Sequence, residues 1–577
     1  MAINKLWCGI AACMTLSSPA FADDWFIEAH YQSPAQVREV AGEFQHLIVD
    51  EKRQTIRVDT DDAGIQRLED AGMSVNIDMA ATAQMRASDL AVVRGPGIES
   101  IPGYACYRTV EETYSTIDNL VSSHPNLASA QDIGPTWQRT QNATQGYQLR
   151  ALRITNLSTA GSDPDRPKMV TFGSIHAREY TPAELLTRMA EWLVNNYGTD
   201  PQATWLVDHV DFRFVLEANP DGRKKAESGI SWRKNTNIVD GFCATNPPNG
   251  NSQPGIDLNR NFPFHWSTVS GGSSGDKCAQ TFRGPTAGSE PETQNLVAYV
   301  AGMPGTGGIY SGGVFPDRRG DASGLPAPDD YAGLFFDIHS YSQLVLWPWG
   351  DTASPSANAG PFTAIGRRLA FFNNYKPQQS VGLYATDGTT DDTFYGLLGT
   401  PSFTIELGVA FFESCTTFQN TTYPANLAAL KYAARVAWRP YQLPLGPDVT
   451  SIRPIARVDQ GVPVTVNAVI DEMRYNNTNG TQPTFAITGA NAYIDQTPWE
   501  VGAVAIALQA SDGSFDTKTE SVTGSIDTST LSVGRHLLYV QGVNAQTSGG
   551  RSGAPDAVFF EVLPVGDSIY LSGFDSP

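Results

Sequence analysis

Short strand-like runs alternate with helical patterns between residues 104 and about 441, and four of these runs end on polar or charged side chains. This alternation is typical of an α/β domain, in which helices cover the faces of a central sheet. Such sheets bind ligands beyond the carboxyl ends of their strands, where the loops to the next helices meet. The sequence therefore predicts an α/β domain with a site built from these strand ends.

The clearest of these strand ends leads into a well-marked helix. A β-rich run that starts at Lys168 leads to His176 and Glu179. A helix should follow, because Thr181 can cap it and Glu184, three residues on, completes a capping box. His176 and Glu179 then lie in a strand-to-helix loop, where two side chains three residues apart can reach one cation.

Three further runs end on polar groups in the same way, namely residues 211–216 before Asn219–Gly222, residues 334–338 before His339, and residues 402–405 before Glu406. A His-x-x-Glu motif by itself is weak, since chance matches are common. Two histidines and one glutamate, however, are a known ligand set of catalytic zinc in hydrolases. The combination favours a zinc site at the edge of the sheet.

Six separated motifs resemble, in their order, those of zinc carboxypeptidases of the carboxypeptidase A/B family: His176-Ala-Arg178-Glu179, Asn219-Pro-Asp-Gly222, Trp232-Arg233-Lys234, Asp257-Leu-Asn259-Arg260-Asn261, His339-Ser-Tyr341-Ser-Gln343 and Ile405-Glu406-Leu407. The resemblance covers residues 104 to about 440. It implies the fold of that family, a mixed, mostly parallel eight-stranded sheet flanked by helices. It also implies peptide or protein substrates with a free C-terminal carboxylate.

The resemblance carries catalytic roles over position by position. His176, Glu179 and His339 correspond to the ligands of one catalytic Zn²⁺ ion. Glu406 corresponds to the family's general base, which takes a proton from water and passes it to the departing amine. Arg233 corresponds to the arginine that stabilises the oxyanion of the tetrahedral intermediate.

Substrate-binding roles carry over as well. Asn259 and Arg260 resemble the pair that binds the terminal carboxylate, for which a guanidinium offers two parallel donors. Arg178 and Tyr341 resemble contacts to substrate residues further from the C-terminus. Asp257 is expected to orient the first histidine of the zinc site by a hydrogen bond.

Three residues bear on which C-terminal residue is removed. Tyr384 resembles the mobile tyrosine that closes over the bound carboxylate. Asp391 falls where family members that cleave Lys or Arg carry an aspartate, so a preference for basic residues is expected, with tolerance of apolar ones. Two alternatives stay open, namely that Asp392 lines the pocket instead, and that the enzyme prefers apolar C-terminal residues.

The first residues predict export. Lys5, the mostly apolar stretch Leu6 to Leu16 and the small residues up to Ala22 have the order of a cleaved secretory signal over residues 1–22. A lipoprotein signal ending at Cys13 is the alternative. A secreted or periplasmic protein is therefore expected.

Four cysteines remain beyond this signal, and an even number in an exported protein predicts two disulfides. Cys243 and Cys278 bracket the Asn259-Arg260 motif as a family disulfide does, which leaves Cys106 to pair with Cys415.

The remaining segments flank the α/β domain, which is expected over residues 104–443. Residues 23–100 mix strand and helix patterns and occupy the place of an inhibitory activation domain, so zymogen behaviour is a hypothesis. Residues 449–563 show period-two alternation, which predicts an all-β sandwich module. Residues 564–577 read as a short tail, and an insertion from Gly302 to Asp330 could hold a structural ion such as Ca²⁺.

Composition narrows the classes of function. The formal net charge is −21, which disfavours binding to a nucleic-acid backbone. Beyond the first twenty-odd residues the sequence has no apolar run long enough to predict a membrane-spanning helix. The protein is expected to be a monomer. Six histidines receive no role, and most of them are expected to be solvated: His30, His46, His124, His209, His265 and His536.

Two other functions remain open. One is a different amide hydrolase on the same scaffold, such as a cell-wall peptidase or an enzyme acting on modified peptides. The other is a non-catalytic binding protein that has kept the scaffold.

Overall fold

The computed structural model describes residues 25–566 except 45, 87–99, 162, 164, 244–251, 320–323, 383 and 454–456. The predicted signal and most of the predicted tail lie outside the described residues.

An eight-stranded mixed sheet forms the centre of the molecule, as the resemblance implies. Four of its seven neighbouring strand pairs are parallel and three are antiparallel. From edge to edge the strands are Lys376–Gln379, Leu344–Trp347, Ser402–Leu407, Leu334–Ser340, Lys168–Phe172, Asp211–Val215, Gln148–Ile154 and Ala128–Pro135.

Helices surround this sheet and supply much of the apolar core. The α-helices are Val110–Ser123, Trp137–Gln141, Leu157–Ala160, Tyr180–Asn195, Pro201–His209, Pro220–Ala226, Pro291–Val300, Ala359–Asn373, Thr390–Leu398, Cys415–Thr417 and Tyr423–Val436. Shorter 3₁₀ turns are Leu258–Arg260, Thr306–Gly308, Ser380–Gly382 and Leu443–Leu445, and Phe418–Thr422 is a π-helical turn.

The middle strand, Leu334–Ser340, brings three of the predicted strand ends together. It pairs in parallel with Ser402–Leu407, in a register that sets His339 opposite Glu406. On its other side it pairs in parallel with Lys168–Phe172, the strand that leads to His176. Because parallel strands end at the same edge of a sheet, side chains from all three strands meet there.

The helix after His176 begins two residues earlier than the capping box predicts. Its bounds are Tyr180–Asn195, and Glu179, not Thr181, is the N-cap, with no side-chain capping bond. Glu184 is buried and accepts a hydrogen bond from Arg108 Nη1 at 2.9 Å. Its carboxylate is thus engaged elsewhere and does not cap the helix.

The N-terminal region is a small α+β unit with its own apolar core. Its antiparallel sheet has the order Ile48–Asp50, Thr55–Thr60, Trp25–His30 and Ser74–Ile77. Its helices are Pro34–Phe44, Asp62–Asp70 and Met79–Arg86. This matches the α+β character expected for residues 23–100.

The C-terminal region is all β in the part that the structure describes, as predicted. Its strands are Asp448–Ile452, Arg457–Asp459, Val464–Asp471, Ile487–Ile494, Ile506–Ala510, Thr519–Ile526, Gly534–Asn544, Arg551–Ser552 and Asp556–Leu563. Strands from both halves of the pairing order contribute to one apolar core, which is the arrangement of a sandwich.

Buried polar contacts attach this β module to the sheet-bearing part. Arg368, on helix Ala359–Asn373, is fully buried and donates to Asp448 Oδ2 at 3.2 Å and to the Tyr475 hydroxyl at 2.9 Å. Asn476 Nδ2 donates to the carbonyl of Tyr375 at 3.0 Å. The module is therefore packed firmly against the helix and strand at one edge of the central sheet.

Other expectations concern the insertion, the cysteines and the membrane. Within residues 302–330, Gly302–Pro304 and Tyr310–Gly312 form a small hairpin, and the described residues there include no group of metal-ligating side chains. Both expected disulfides, Cys106–Cys415 and Cys243–Cys278, are present. Among the described residues, no helix combines the length and apolar character that crossing a membrane requires.

Candidate active site

Three buried side chains converge at the edge of the sheet with the geometry of a metal centre. His176 Nδ1 lies 2.8 Å from Glu179 Oε1, and His339 Nδ1 lies 3.1 Å from both His176 Nδ1 and Glu179 Oε2. Ligands bound tetrahedrally to zinc at their usual bond lengths are about 3.3 Å apart. Two imidazoles and one carboxylate at this spacing fit a Zn²⁺ ion, and they are the one such group among the described residues.

An aspartate contacts the Nε2 atom of each histidine ring, on the side away from the candidate metal position. Asp257 Oδ1 lies 3.1 Å from His176 Nε2, as expected from the sequence. Asp337 Oδ2 lies 3.0 Å from His339 Nε2, a contact that the sequence analysis did not predict. Asp337 precedes His339 by two residues on one strand, so both side chains point to the same face, and this spacing could have revealed it.

Electrostatics keep the carboxylates of the site ionised. Burial alone would raise the pKa of Glu179, but the neighbouring imidazoles of His176 and His339 outweigh it and hold the pKa well below its usual range. Burial likewise opposes ionisation of Asp257, whose pKa is nevertheless held well below normal, chiefly by Arg233. The site thus has the negative charge that a divalent cation requires.

Arg233 and Glu406 line the same cavity as two of these ligands, His176 and His339. Arg233 is 1% exposed and its Nη2 donates to Asp257 Oδ2 at 2.9 Å, so one aspartate fixes both the arginine and a histidine. Glu406 Oε2 is buried and makes no hydrogen bond to the described residues. A buried carboxylate oxygen without a donor is available to a substrate or to water.

Asn259 and Arg260 border the same cavity. Thr390 donates its backbone N–H to Asn259 Oδ1 at 2.9 Å, which fixes the amide. Arg260 Nε and Nη1 donate to the carbonyls of Gly272 and Asn259, which fixes the guanidinium. Tyr384 also lines the cavity and interacts with Arg260.

These residues enclose a cavity of about 60 Å³. Its lining includes His46, His176, Arg233, Asn259, Arg260, His339, Leu344, Leu346, Ser380, Tyr384, Asp391, Thr404 and Glu406. Most of the residues predicted for catalysis and substrate binding are therefore brought together around one space.

The two adjacent aspartates are both buried but have different surroundings. Asp391 lines the cavity, and its Oδ2 accepts a hydrogen bond from Ser380 Oγ at 2.9 Å. Asp392 is not among the residues that line it, and its carboxylate accepts from the backbone N–H of Gly350 at 2.9 and 3.0 Å. Burial raises the pKa of both carboxyls. Of the two candidates, Asp391 is the one that faces the cavity.

Arg178 and Tyr341 lie outside the cavity lining. The Arg178 guanidinium stacks over the Phe411 ring at 3.9 Å, and its Nη2 donates to Gln280 Oε1 at 2.8 Å. The Tyr341 hydroxyl accepts from the backbone N–H of Asp59 at 2.8 Å and donates to the Asp59 carboxylate. Both residues are buried, and the N-terminal region covers Tyr341.

His46 also belongs to this site, although no role was expected for it. It is 2% exposed, and its Nε2 lies 3.1 Å from Arg233 Nη1 and 3.8 Å from Glu179 Oε1. Its Nδ1 lies 3.6 Å from Glu406 Oε2. His536, another histidine without an expected role, is also buried and contacts Asp495. No motif marks either residue, because both contacts depend on tertiary packing.

Comparison with known proteins bears directly on this geometry. A sequence profile of the family described as zinc carboxypeptidase matches residues 113–421. Carboxypeptidase A1 of Rattus norvegicus is 28% identical over 312 residues, which are 53% of this chain and 63% of the rat protein. A zinc carboxypeptidase of Saccharothrix mutabilis subsp. capreolus is 27% identical over 321 residues, covering 54% of this chain and 64% of that protein. The chain thus spans less than two thirds of these relatives.

Solved structures share the fold. Carboxypeptidase A from Helicoverpa armigera superimposes with a TM-score of 0.54 at 20% identity, covering 73% of this chain and 98% of that one. Thrombin activatable fibrinolysis inhibitor superimposes with a TM-score of 0.52 at 19% identity, covering 72% of this chain and 99% of that one. The family profile covers more than half of the sequence and includes all three candidate zinc ligands. The chain belongs to the zinc carboxypeptidase family.

Proposed function

We propose that this protein is a zinc-dependent carboxypeptidase that removes C-terminal residues from peptides and proteins. The observation that carries the proposal is the convergence of His176, Glu179 and His339 beside Glu406 and Arg233 at one cavity. Each group has a use in amide hydrolysis, and the set is complete.

The roles follow from the surroundings of each group. A bound Zn²⁺ supplies Lewis acidity and lowers the pKa of a water molecule. Glu406 acts as the general base, because its buried Oε2 is free of other donors among the described residues. Arg233, fixed by Asp257, stabilises the negative charge that develops on the carbonyl oxygen of the scissile bond.

The exopeptidase character rests on recognition of the terminal carboxylate. Asn259 and Arg260 offer amide and guanidinium donors at the cavity wall, and Tyr384 lies beside Arg260. Planar guanidinium groups bind carboxylates through paired hydrogen bonds. A peptide whose C-terminus is amidated lacks this handle and should be a poor substrate.

The side-chain preference is proposed to be for C-terminal Lys or Arg, with apolar residues tolerated. Support comes from Asp391, a buried carboxylate at the cavity wall whose Oδ2 accepts one hydrogen bond from Ser380 Oγ. A cationic side chain is the natural partner for such a group, because a buried charge needs compensation. The aliphatic walls Leu344 and Leu346 would contact the methylene stem.

The N-terminal region is proposed to be an inhibitory pro-region, and the protein to be exported. Its cover over Tyr341 and the insertion of His46 support the first proposal. The two disulfides support the second, because such bonds persist mainly in oxidising compartments.

The proposed activity is tested with a panel of peptides that carry either a free or an amidated C-terminus. Release of the last residue is expected only from the free form, is lost on removal of zinc by a chelator, and returns on adding zinc. Glu406→Gln should keep zinc and lose nearly all turnover. Glu69→Gln, on an exposed helix position of the N-terminal region, is the matched control and should be unchanged. Equal cleavage of amidated peptides would reject the carboxypeptidase assignment.

A further inference from the structure

One side chain of the N-terminal region, that of His46, lies in the catalytic cavity. His46 lies between helix Pro34–Phe44 and strand Ile48–Asp50. Among the described residues that line the cavity, it is the only one from the N-terminal region. Its ring lies between Arg233 and Glu406, so it takes up space in the cavity that a substrate would otherwise use.

The two ring nitrogens of His46 are placed like the polar atoms of a substrate's peptide group. Arginine has donors but no acceptors, so the Nε2 atom that lies 3.1 Å from Arg233 Nη1 is an acceptor. The proton of the neutral ring is then on Nδ1, which faces Glu406 Oε2 at 3.6 Å. The ring thus accepts a hydrogen bond from the proposed oxyanion-stabilising arginine, and its N–H faces the proposed base at a distance too long for a hydrogen bond. A scissile peptide group offers the same pair, a carbonyl oxygen and an N–H.

Packing holds the ring in place. It makes an edge-to-face contact with Phe411 at a centroid distance of 4.7 Å, and the Tyr341 ring lies 5.9 Å away. Other contacts also hold the N-terminal region, among them the hydrogen bonds of Asp59 with Tyr341, the ion pair of Glu51 with Lys376 and the packing of Tyr384 against its apolar core. His46 therefore cannot leave the cavity unless the region around it moves.

We propose that His46 is a built-in competitive inhibitor, which occupies the position of the scissile peptide group between Arg233 and Glu406. The inference rests on the proposed carboxypeptidase function and assigns the inhibition to one imidazole. The inhibition itself involves no covalent bond, and only its release requires a protease to hydrolyse the chain. Cleavage within the chain frees the site by letting the N-terminal region, with its histidine, move away.

The test uses the zinc-loaded full chain with a protease recognition sequence inserted within residues 87–99, assayed on hippuryl-Arg and hippuryl-Phe before and after cleavage. The intact wild type should be at least roughly ten-fold slower than the cleaved form, as expected when a hydrogen bond to a charged group must be broken first. Intact His46→Ala should recover most of this difference. His30→Ala is the matched control, because His30 is exposed on the same region, and it should stay slow.

A second variant and a second measurement test the inhibitor role independently. His46→Phe keeps an aromatic ring against Phe411 but cannot accept from Arg233, so the intact variant should also be released. Zinc should be extracted by a chelator faster from intact His46→Ala than from intact wild type, because the ring covers the ion's site.

The outcomes separate the two proposals. Activity in the cleaved wild type together with an intact His46→Ala or His46→Phe that is as slow as intact wild type overturns the inhibitor role. Equal rates for intact and cleaved wild type overturn it as well. Inactivity of the cleaved wild type on every substrate overturns the proposed function, and this inference falls with it.

Discussion

Replacing Asp391 by asparagine should reverse the preference of the enzyme. The amide keeps the shape of the side chain and can still accept the hydrogen bond from Ser380, but it removes the negative charge. Asp391 is 3% exposed, so an arginine side chain bound beside it would be left as an uncompensated buried cation. Breaking a buried pair in this way costs about 3–5 kcal/mol. That energy corresponds to a loss of roughly 10²–10⁴ in kcat/KM on a C-terminal arginine.

The assay compares hippuryl-Arg with hippuryl-Phe on the form freed of its N-terminal region. The rate on phenylalanine should stay level or rise, because a desolvated charge no longer faces the apolar ring. Asp392→Asn is the matched control, since its carboxylate binds the backbone of Gly350 and faces away from the cavity lining. A wild type that is much faster on phenylalanine, or a swing caused by Asp392→Asn and not by Asp391→Asn, would refute the reasoning.

Two further predictions concern the metal support and the stability of the fold. Asp337→Asn should weaken zinc binding about 10–100-fold, because the Asp337 carboxylate contacts Nε2 of the zinc ligand His339. Competition with a chromophoric chelator measures the affinity. An unchanged affinity would show that the contact is dispensable. Burial, followed by the charge of Glu290, raises the pKa of Glu292 to about 8, so the folded state retains a proton that the unfolded state loses above its ordinary pKa near 4.5. The free energy of unfolding should therefore fall by roughly 2–4 kcal/mol as pH rises from about 4.5 to 8. Denaturant unfolding at several pH values measures this dependence, and Glu292→Gln should make it less steep. The same dependence on pH in both proteins would contradict the prediction.

The zinc ligands could be predicted from the sequence because each follows a recognisable strand and belongs to a motif. His176 and Glu179 are three residues apart, and their convergence needs only the local loop. Their meeting with His339 depends on which strands are neighbours, and this came from the resemblance, since hydropathy periodicity does not fix the order of strands. The observed register, with His339 opposite Glu406, supplies that order.

Other features could not be read from the sequence because they depend on tertiary contacts. Thr181 was predicted to cap its helix, but Glu184, which would complete the box, is held by Arg108. His46 has no motif, and only the docking of one region on another brings it to Arg233. Arg368 is similar, since nothing in its helix indicates that it is buried against the β module.

The measurement that bears most directly on the central claim is the zinc content of the purified chain. After dialysis against trace zinc, the wild type should contain one zinc per chain, and His339→Ala should contain almost none and release no C-terminal residue. His265→Ala, whose histidine is exposed, should match the wild type in both respects. A wild type without zinc, or a His339→Ala variant that keeps both its zinc and its activity, would contradict the account.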